Sequence, residues 1–340
     1  MQLALHPTVR TWLSACCLLV AAMVLIGGLT RLSESGLSIV EWKLVSGTLP
    51  PLSHATWEQE FEAYQTSPQY AQVNRGFSLA DFKHIYWLEY LHRALGRIVG
   101  LALIIPFLVF AARRMLPGWM VRRMLVACLL VAAQGLVGWI MVASGLVDEP
   151  RVNPLKLGLH LSLAFALFGL LLWTRWQAGG ARPAAYGRGA CLLQLAMALG
   201  AIQIFLGALV AGLDAGLSYN SFPLMDGQWI PSGLHRLSPW WLNHVENILT
   251  VQFQHRLAAY ALTAAIVAFV ASAWDSANAT QRFWLRALLA ALLLQFSLGV
   301  ATLLSVVAIP LASLHQLGAL LLFSVLLRLI WLYPCTRAGK

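Results

Sequence analysis

Residues 87–110 read WLEYLHRALGRIVGLALIIPFLVF. A bilayer span needs about 20 mostly apolar residues, and this run is long enough to provide one. It nevertheless carries an acid and a histidine near its start. Ionisable groups so placed face a bundle interior or a cavity and avoid lipid. Seven further stretches share its length and apolarity, at about 11–29, 121–143, 157–176, 190–212, 248–273, 284–306 and 310–333. The last two are parted only by a tight turn near Pro310. The sequence therefore predicts an all-α membrane protein with eight transmembrane helices. Composition excludes a soluble globular domain: 59% of the 340 residues are hydrophobic and 11% are charged, against about 25% charged in soluble chains. The first stretch follows a short head with Arg10, lacks a small-residue cleavage site and runs into a patterned loop. It is read as a span and not as a signal peptide.

Charge sets the expected orientation. With the N-terminus inside, 13 of the 23 basic residues fall on the inner face, among them Arg10, Arg113, Arg114, Arg122, Arg123, Arg175, Arg182, Arg188, Arg337 and Lys340. Asp275 is the sole acid there. This is the positive-inside pattern, so the net charge of +10 calls for no nucleic-acid partner. The expectation is a multi-pass protein of the bacterial inner (plasma) membrane with both termini cytoplasmic. The cysteines Cys16, Cys17, Cys128, Cys191 and Cys335 lie within spans or at their inner ends and make no CxxC pair. They read as buried free thiols.

The chain repeats itself. Gly27-Gly28-Leu29, Glu34, Gly36-Leu37-Ser38 and Gly47 recur 180 residues on as Gly207-Ala208-Leu209, Asp214, Gly216-Leu217-Ser218 and Gly227. His92-Arg93 matches His255-Arg256, Gln134 and Gly138 match Gln295 and Gly299, and Leu159-His160 matches Leu314-His315. Four spans duplicated in the same order give a parallel repeat, because an even number of crossings restores the orientation. Each half is expected to form a four-helix bundle: residues 1–177 with an outer loop at 30–86, and residues 178–340 with an outer loop at 213–247. Loops this long are uncommon unless they serve a function. Short helices such as one from Trp57 to Tyr64 are expected in the first.

His92, His160, His255 and His315 all lie near the outer ends of their spans, two in each half. One buried histidine would be read as a packing residue; four at matched positions of a duplicated unit point to ligation. Zinc wants four donors about one point, or three and a water. Paired imidazoles on facing helices instead suit the two axial positions of haem iron. Arg93 and Arg256 follow two of these histidines and Arg31 and Arg97 lie nearby, so they are candidates for propionate carboxylates, against plain interfacial snorkelling.

The halves differ at one informative place. Glu89 lies one turn before His92 and on the same face, whereas the second half has Gln252 there. Arg31 similarly has Ala211 as its counterpart. A carboxylate beside a haem can accept a proton or stabilise a developing cation, as an amide cannot. The first half therefore reads as reactive and the second as a fixed electron-transfer site. The plainer alternative is that Glu89 merely pairs with Arg93 or Lys83.

The run from Gly27 to Ser38 resembles haem A synthases, as do Pro50-Pro51, Tyr70, Asn74, Gly76 and the stretch from Asp81 to Arg97. The first loop is most similar to the branch shared by mitochondria and related proteobacteria. The resemblance spans nearly the whole chain. It implies oxidation of the C8 methyl of haem O to a formyl group, giving haem A for cytochrome oxidase. It implies Glu89 as the essential carboxylate, His92 and His160 on the substrate haem iron, and His255 and His315 on a resident haem b. It further implies haem O synthase and oxidase assembly factors as partners, with an electron acceptor that the sequence does not identify, and it is compatible with a homo-oligomer. Some members carry a cysteine pair in the first outer loop, which this chain lacks. Two other readings compete. Four helix-borne histidines would also suit a non-enzymatic dihaem b-type cytochrome between quinol and a partner. A duplicated membrane chain could also be a transporter, against which the polar residues gather at the outer end.

Overall fold

A computed structural model describes residues 4–41, 46–147, 150–180 and 189–333. Cys335, Arg182, Arg188, Arg337 and Lys340 lie outside the described residues. Among the described residues there are ten α-helices and no strand. Eight are long and apolar enough to cross a bilayer: α1 (Pro7–Leu32), α4 (Leu79–Ala112), α5 (Gly118–Gly145), α6 (Pro154–Ala178), α7 (Ala190–Gly212), α8 (Ile248–Ala273), α9 (Ala279–Leu304) and α10 (Ile309–Leu332). The short helices α2 (His54–Gln65) and α3 (Pro68–Gln72) stand in the loop after α1. The chain is a multi-pass membrane protein. Its exposed surface agrees, since Leu101, Ile105, Leu108, Leu129 and Leu293 point outward, each more than half exposed. Their exposure suits hydrocarbon and not water.

Local chemistry sets the helix ends. Helix α4 begins at Leu79, well before the expected start near 87, because Ser78 and Asp81 form a reciprocal capping box. Its first turns therefore extend outward beyond the apolar run. Ser53 and Thr56 start α2 in the same way. Asn153 and Asn247 cap α6 and α8. The turn between α9 and α10 passes through Val306 (φ 54°) and Val307 (φ 60°), an uncommon conformation for β-branched residues.

Helix α1 packs on α4 and α6, and α5 packs closely on α6. Correspondingly, α7 packs on α8 and α10, and α9 closely on α10. The contact between α4 and α5 is sparse, as is that between α8 and α9. Helices α6 and α7 join the two sets, with Gly158 against the ring of Phe205 and Gly212 against Pro154. Helix α10 also meets α1, where Gln316 lies over Gly28 and donates to the Val24 carbonyl at 2.9 Å. A core of Leu13, Leu103, Met120, Met124 and Leu171 packs between α1 and α4–α6, and one of Leu193, Ile266, Phe269, Leu285 and Leu329 between α7–α10. A smaller aromatic cluster of Trp57, Tyr64, Phe82 and Tyr86 fastens α2 to the N-terminal end of α4.

Candidate functional site

His92 stands on α4, His160 on α6, His255 on α8 and His315 on α10. Each ring lies with its Cε1–Nδ1 edge against a glycine of another helix. A Cβ at Gly27 of α1 would come 2.9 Å from Cε1 of His92, and one at Gly207 of α7 would come 3.1 Å from Cε1 of His255. At Gly138 of α5 the distance to His160 would be 3.2 Å, and at Gly299 of α9 the distance to His315 would be 2.8 Å. These glycines are the repeat partners found in the sequence. Their role is now evident: any larger residue would displace the imidazole. His92 is within electrostatic reach of His160, and His255 of His315. The structure thus brings the four histidines together as one pair in each half of the chain.

The donor chemistry can be tested against haem. All four Nδ1 atoms are buried without a hydrogen-bond partner, although the rings as wholes are only half-buried. With Nδ1 enclosed against the glycine, Nε2 is the ring nitrogen each histidine has to offer an iron. Among the described residues no three or more of His, Cys, Asp and Glu gather closely enough to hold a metal ion by themselves, so a zinc site of protein ligands alone does not form. Two fixed imidazoles from different helices fit a planar cofactor with two axial positions. Gln203, which the sequence did not single out, has its amide nitrogen 3.3 Å from Nε2 of His255.

Glu89 is buried (2% exposed), and its carboxylate accepts three bonds besides one longer-range electrostatic neighbour, Tyr64. Ser38 Oγ donates to Oε2 at 2.7 Å, the Ile39 amide donates to Oε2 at 2.9 Å, and Arg93 donates to Oε1 at 2.6 Å. The expected alternative, a pair with Arg93, is therefore present, but as one part of a buried cradle. Arg93 also donates to the Ile39 carbonyl and lines a cavity of about 440 Å³ with Tyr86, Tyr90, Arg97, Leu49 and Pro50. In the second half Arg256 repeats both bonds, to Gln252 Oε1 at 3.1 Å and to the Tyr219 carbonyl at 2.8 Å. It donates to the Ser221 carbonyl as well. Arg31 is bound at 2.6 Å to the Ala211 carbonyl and at 2.8 Å to Asp214. Each of the three arginines holds backbone or an acid of its own chain, while Nε of Arg31 and of Arg256 stays buried and unpartnered.

The fold and the paired imidazoles define a class: multi-pass helical membrane proteins with two histidine pairs, His92 with His160 and His255 with His315. The chain's own kind follows from its likeness to known proteins. Residues 10–327 match the family model described as cytochrome oxidase assembly protein. The chain is 45% identical to the heme A synthase of Nitrosospira multiformis, over 96% of this chain and 93% of that one. It is 48% identical to a heme A synthase of Rhodopseudomonas palustris over 97% and 92% of the two chains. With one from a Bradyrhizobium species it shares 47% over 93% and 88%. It belongs to this cytochrome oxidase assembly family.

Proposed function

We propose that this chain is a haem A synthase, an oxidoreductase that converts the C8 methyl group of haem O into a formyl group and so makes haem A for cytochrome oxidase. Family membership over nearly the whole chain supports the reaction. The observation that supports its location is Glu89, a buried carboxylate in the first half whose counterpart in the second is the amide of Gln252. No observation favours the dihaem cytochrome or the transporter.

In this reading residues 1–177 and 178–340 are two four-helix units. His92 and His160 hold the iron of the substrate haem, and His255 and His315 hold that of a resident haem b. When bound, the resident haem supplies one-electron transfer. The protein's part is largely preorganisation. The glycine seats fix the imidazole rings, and the Ser38–Ile39–Arg93 cradle fixes Glu89 one turn outward of His92. From there the carboxylate can take up a proton or oppose positive charge developing on the substrate, roles that Gln252 cannot fill. The unpartnered Nε of Arg31 and of Arg256 are donors left for propionates. The positive-inside balance supports an inner-membrane placement with the sites toward the outer face. Haem O synthase and oxidase assembly factors are the partners that this reading expects, besides an electron acceptor.

The test is acid extraction of haems from purified protein expressed with a supply of haem O. Wild type should yield haem B together with haem O or its oxidised products, and Glu89→Gln should keep both haems while haem A falls by a hundredfold or more, within the range for loss of a general base. Haem A at wild-type levels from Glu89→Gln would remove Glu89 from the chemistry. Haem B alone from the wild type would remove the synthase reading altogether.

A further inference from the structure

The two turns that follow α1 and α7 have the same sequence at their centre, Gly36-Leu37-Ser38 and Gly216-Leu217-Ser218. Both are entered through a residue in the left-handed region, Glu34 and Asp214, each at φ 53°. Both lie against the residue one turn outward of the ligand histidine. Yet they offer it opposite chemistry. The first presents two donors, the Ser38 hydroxyl and the Ile39 amide, to Oε2 of Glu89. The second presents two acceptors, the Ala215 and Ser218 carbonyls, which take bonds of 2.9 and 2.7 Å from Nε2 of Gln252. The other end of each side chain is treated alike, since Arg93 and Arg256 donate to it in turn. Only the far atom is told apart, oxygen in one half and NH2 in the other. The peptide after the serine differs between the halves: Tyr219 takes φ 54° and the Ser218 carbonyl faces the side chain, whereas Ile39 does not have positive φ and its amide faces Glu89.

The first turn is itself held from outside. Gln69 of α3 donates to the Glu34 carbonyl at 2.7 Å, Tyr64 of α2 donates to Gln69 at 3.2 Å, and Asn74 donates to Tyr64 at 2.7 Å. Tyr64, Gln69 and Asn74 are all buried, as is Ser38 at 1% exposed. A buried polar chain so fully bonded fixes one geometry.

We infer that Ser38 is a positioning residue for the reaction, holding Oε2 of Glu89 in place through its hydroxyl, and that the outer-loop helices α2 and α3 serve the site by fixing the turn that carries it. The inference rests on the synthase reading of Glu89. A hydrogen bond to a charged group contributes about 1.5–3 kcal/mol, which corresponds to roughly a ten- to hundredfold effect if it is needed in the transition state.

The test uses the full chain in membranes supplied with haem O, with Ser38→Ala, the near-isosteric Ser38→Cys, Glu89→Gln and Ser35→Ala. Ser35 is equally buried in the same turn, but its hydroxyl bonds Ser33 and not Glu89. Protein-bound haem is measured with the haem A formed, and absorption spectra report the two imidazole-ligated irons. The expected result is haem A per protein down by tenfold or more in Ser38→Ala and Ser38→Cys, with haem content and spectra unchanged and Ser35→Ala like wild type. If both Ser38 variants make haem A at the wild-type rate while Glu89→Gln does not, the inference is wrong and the synthase reading stands. Loss in Ser38→Ala and Ser35→Ala alike, matched by loss of bound haem, also overturns it, because the turn would then be scaffolding only. If Glu89→Gln is as active as wild type, the reading on which the inference rests has failed.

Discussion

Arg31 donates a 2.6 Å hydrogen bond to the carbonyl of Ala211, the residue that occupies its own position in the second repeat. The two lie four residues after Gly27 and Gly207, the seats of His92 and His255. The same guanidinium reaches Asp214, the repeat counterpart of Glu34. Equivalent points of the two halves thus meet, joined by a charge that only one half supplies.

Arg31 should therefore matter to both histidine pairs. Arg31→Ala is expected to cost about 1–3 kcal/mol through the lost charge-assisted bonds. Arg31→Lys should recover part of this, because both bonds leave the single nitrogen Nη2 and an ammonium can also donate twice from one nitrogen. Thermal unfolding in detergent, followed by haem release from each site, checks this. Release from one site alone would show that the contact does not couple the halves.

The glycine seats give a graded expectation. Alanine at Gly299 or Gly27 would place a methyl at 2.8 or 2.9 Å from an imidazole carbon, whereas at Gly138 the distance is 3.2 Å. Overpacking of this kind costs about 1–3 kcal/mol. Gly299→Ala should lower bound haem B and Gly27→Ala should lower bound haem O, each more than Gly138→Ala lowers haem O. Haem-to-protein ratios after extraction provide the measurement, and equal effects at all three positions would contradict the seating.

Gln252→Glu should damage the second half. Its new oxygen would face the Ala215 and Ser218 carbonyls that now accept from Nε2, leaving a buried carboxylate opposed by two acceptors. The expected destabilisation is at least about 2 kcal/mol, read as loss of haem B before loss of haem O. Unchanged haem B content would show that the turn can reverse its polarity.

The outer loop should respond to alkali. Burial pushes the Tyr64 phenol up from its ordinary value, opposed by the Asn74 bond and reinforced by Glu89. A phenol whose folded value is raised favours the unfolded form once the unfolded phenol ionises, so loop stability should fall as pH rises past about 10. Proteolysis between Ser53 and Ser78 across that range should show the step, and Tyr64→Phe should remove it while loosening the loop at neutral pH.

The eight spans were legible because lipid imposes length and apolarity on every one, and the histidine pairs because duplication printed them twice. The span at 87–110 was legible as an apolar run, but its helix reaches back to Leu79, because hydropathy marks where lipid begins whereas the helix begins where Ser78 and Asp81 satisfy its first amides. Glu89 was legible as an asymmetry, but its cradle was not. Gly36-Leu37-Ser38 and Gly216-Leu217-Ser218 are the same letters, and the difference between donors and acceptors lies in backbone orientation, which includes the positive φ at Tyr219. The contact of Arg31 with Ala211 was likewise hidden, because the repeat aligns equivalent residues without saying that they touch.

A glycine on one helix and a histidine on another form each seat, so a methyl added to the first helix is felt at the ring carried by the second. In the proposed reading a single position beside the histidine, Glu89 in one half and Gln252 in the other, separates chemistry from conduction.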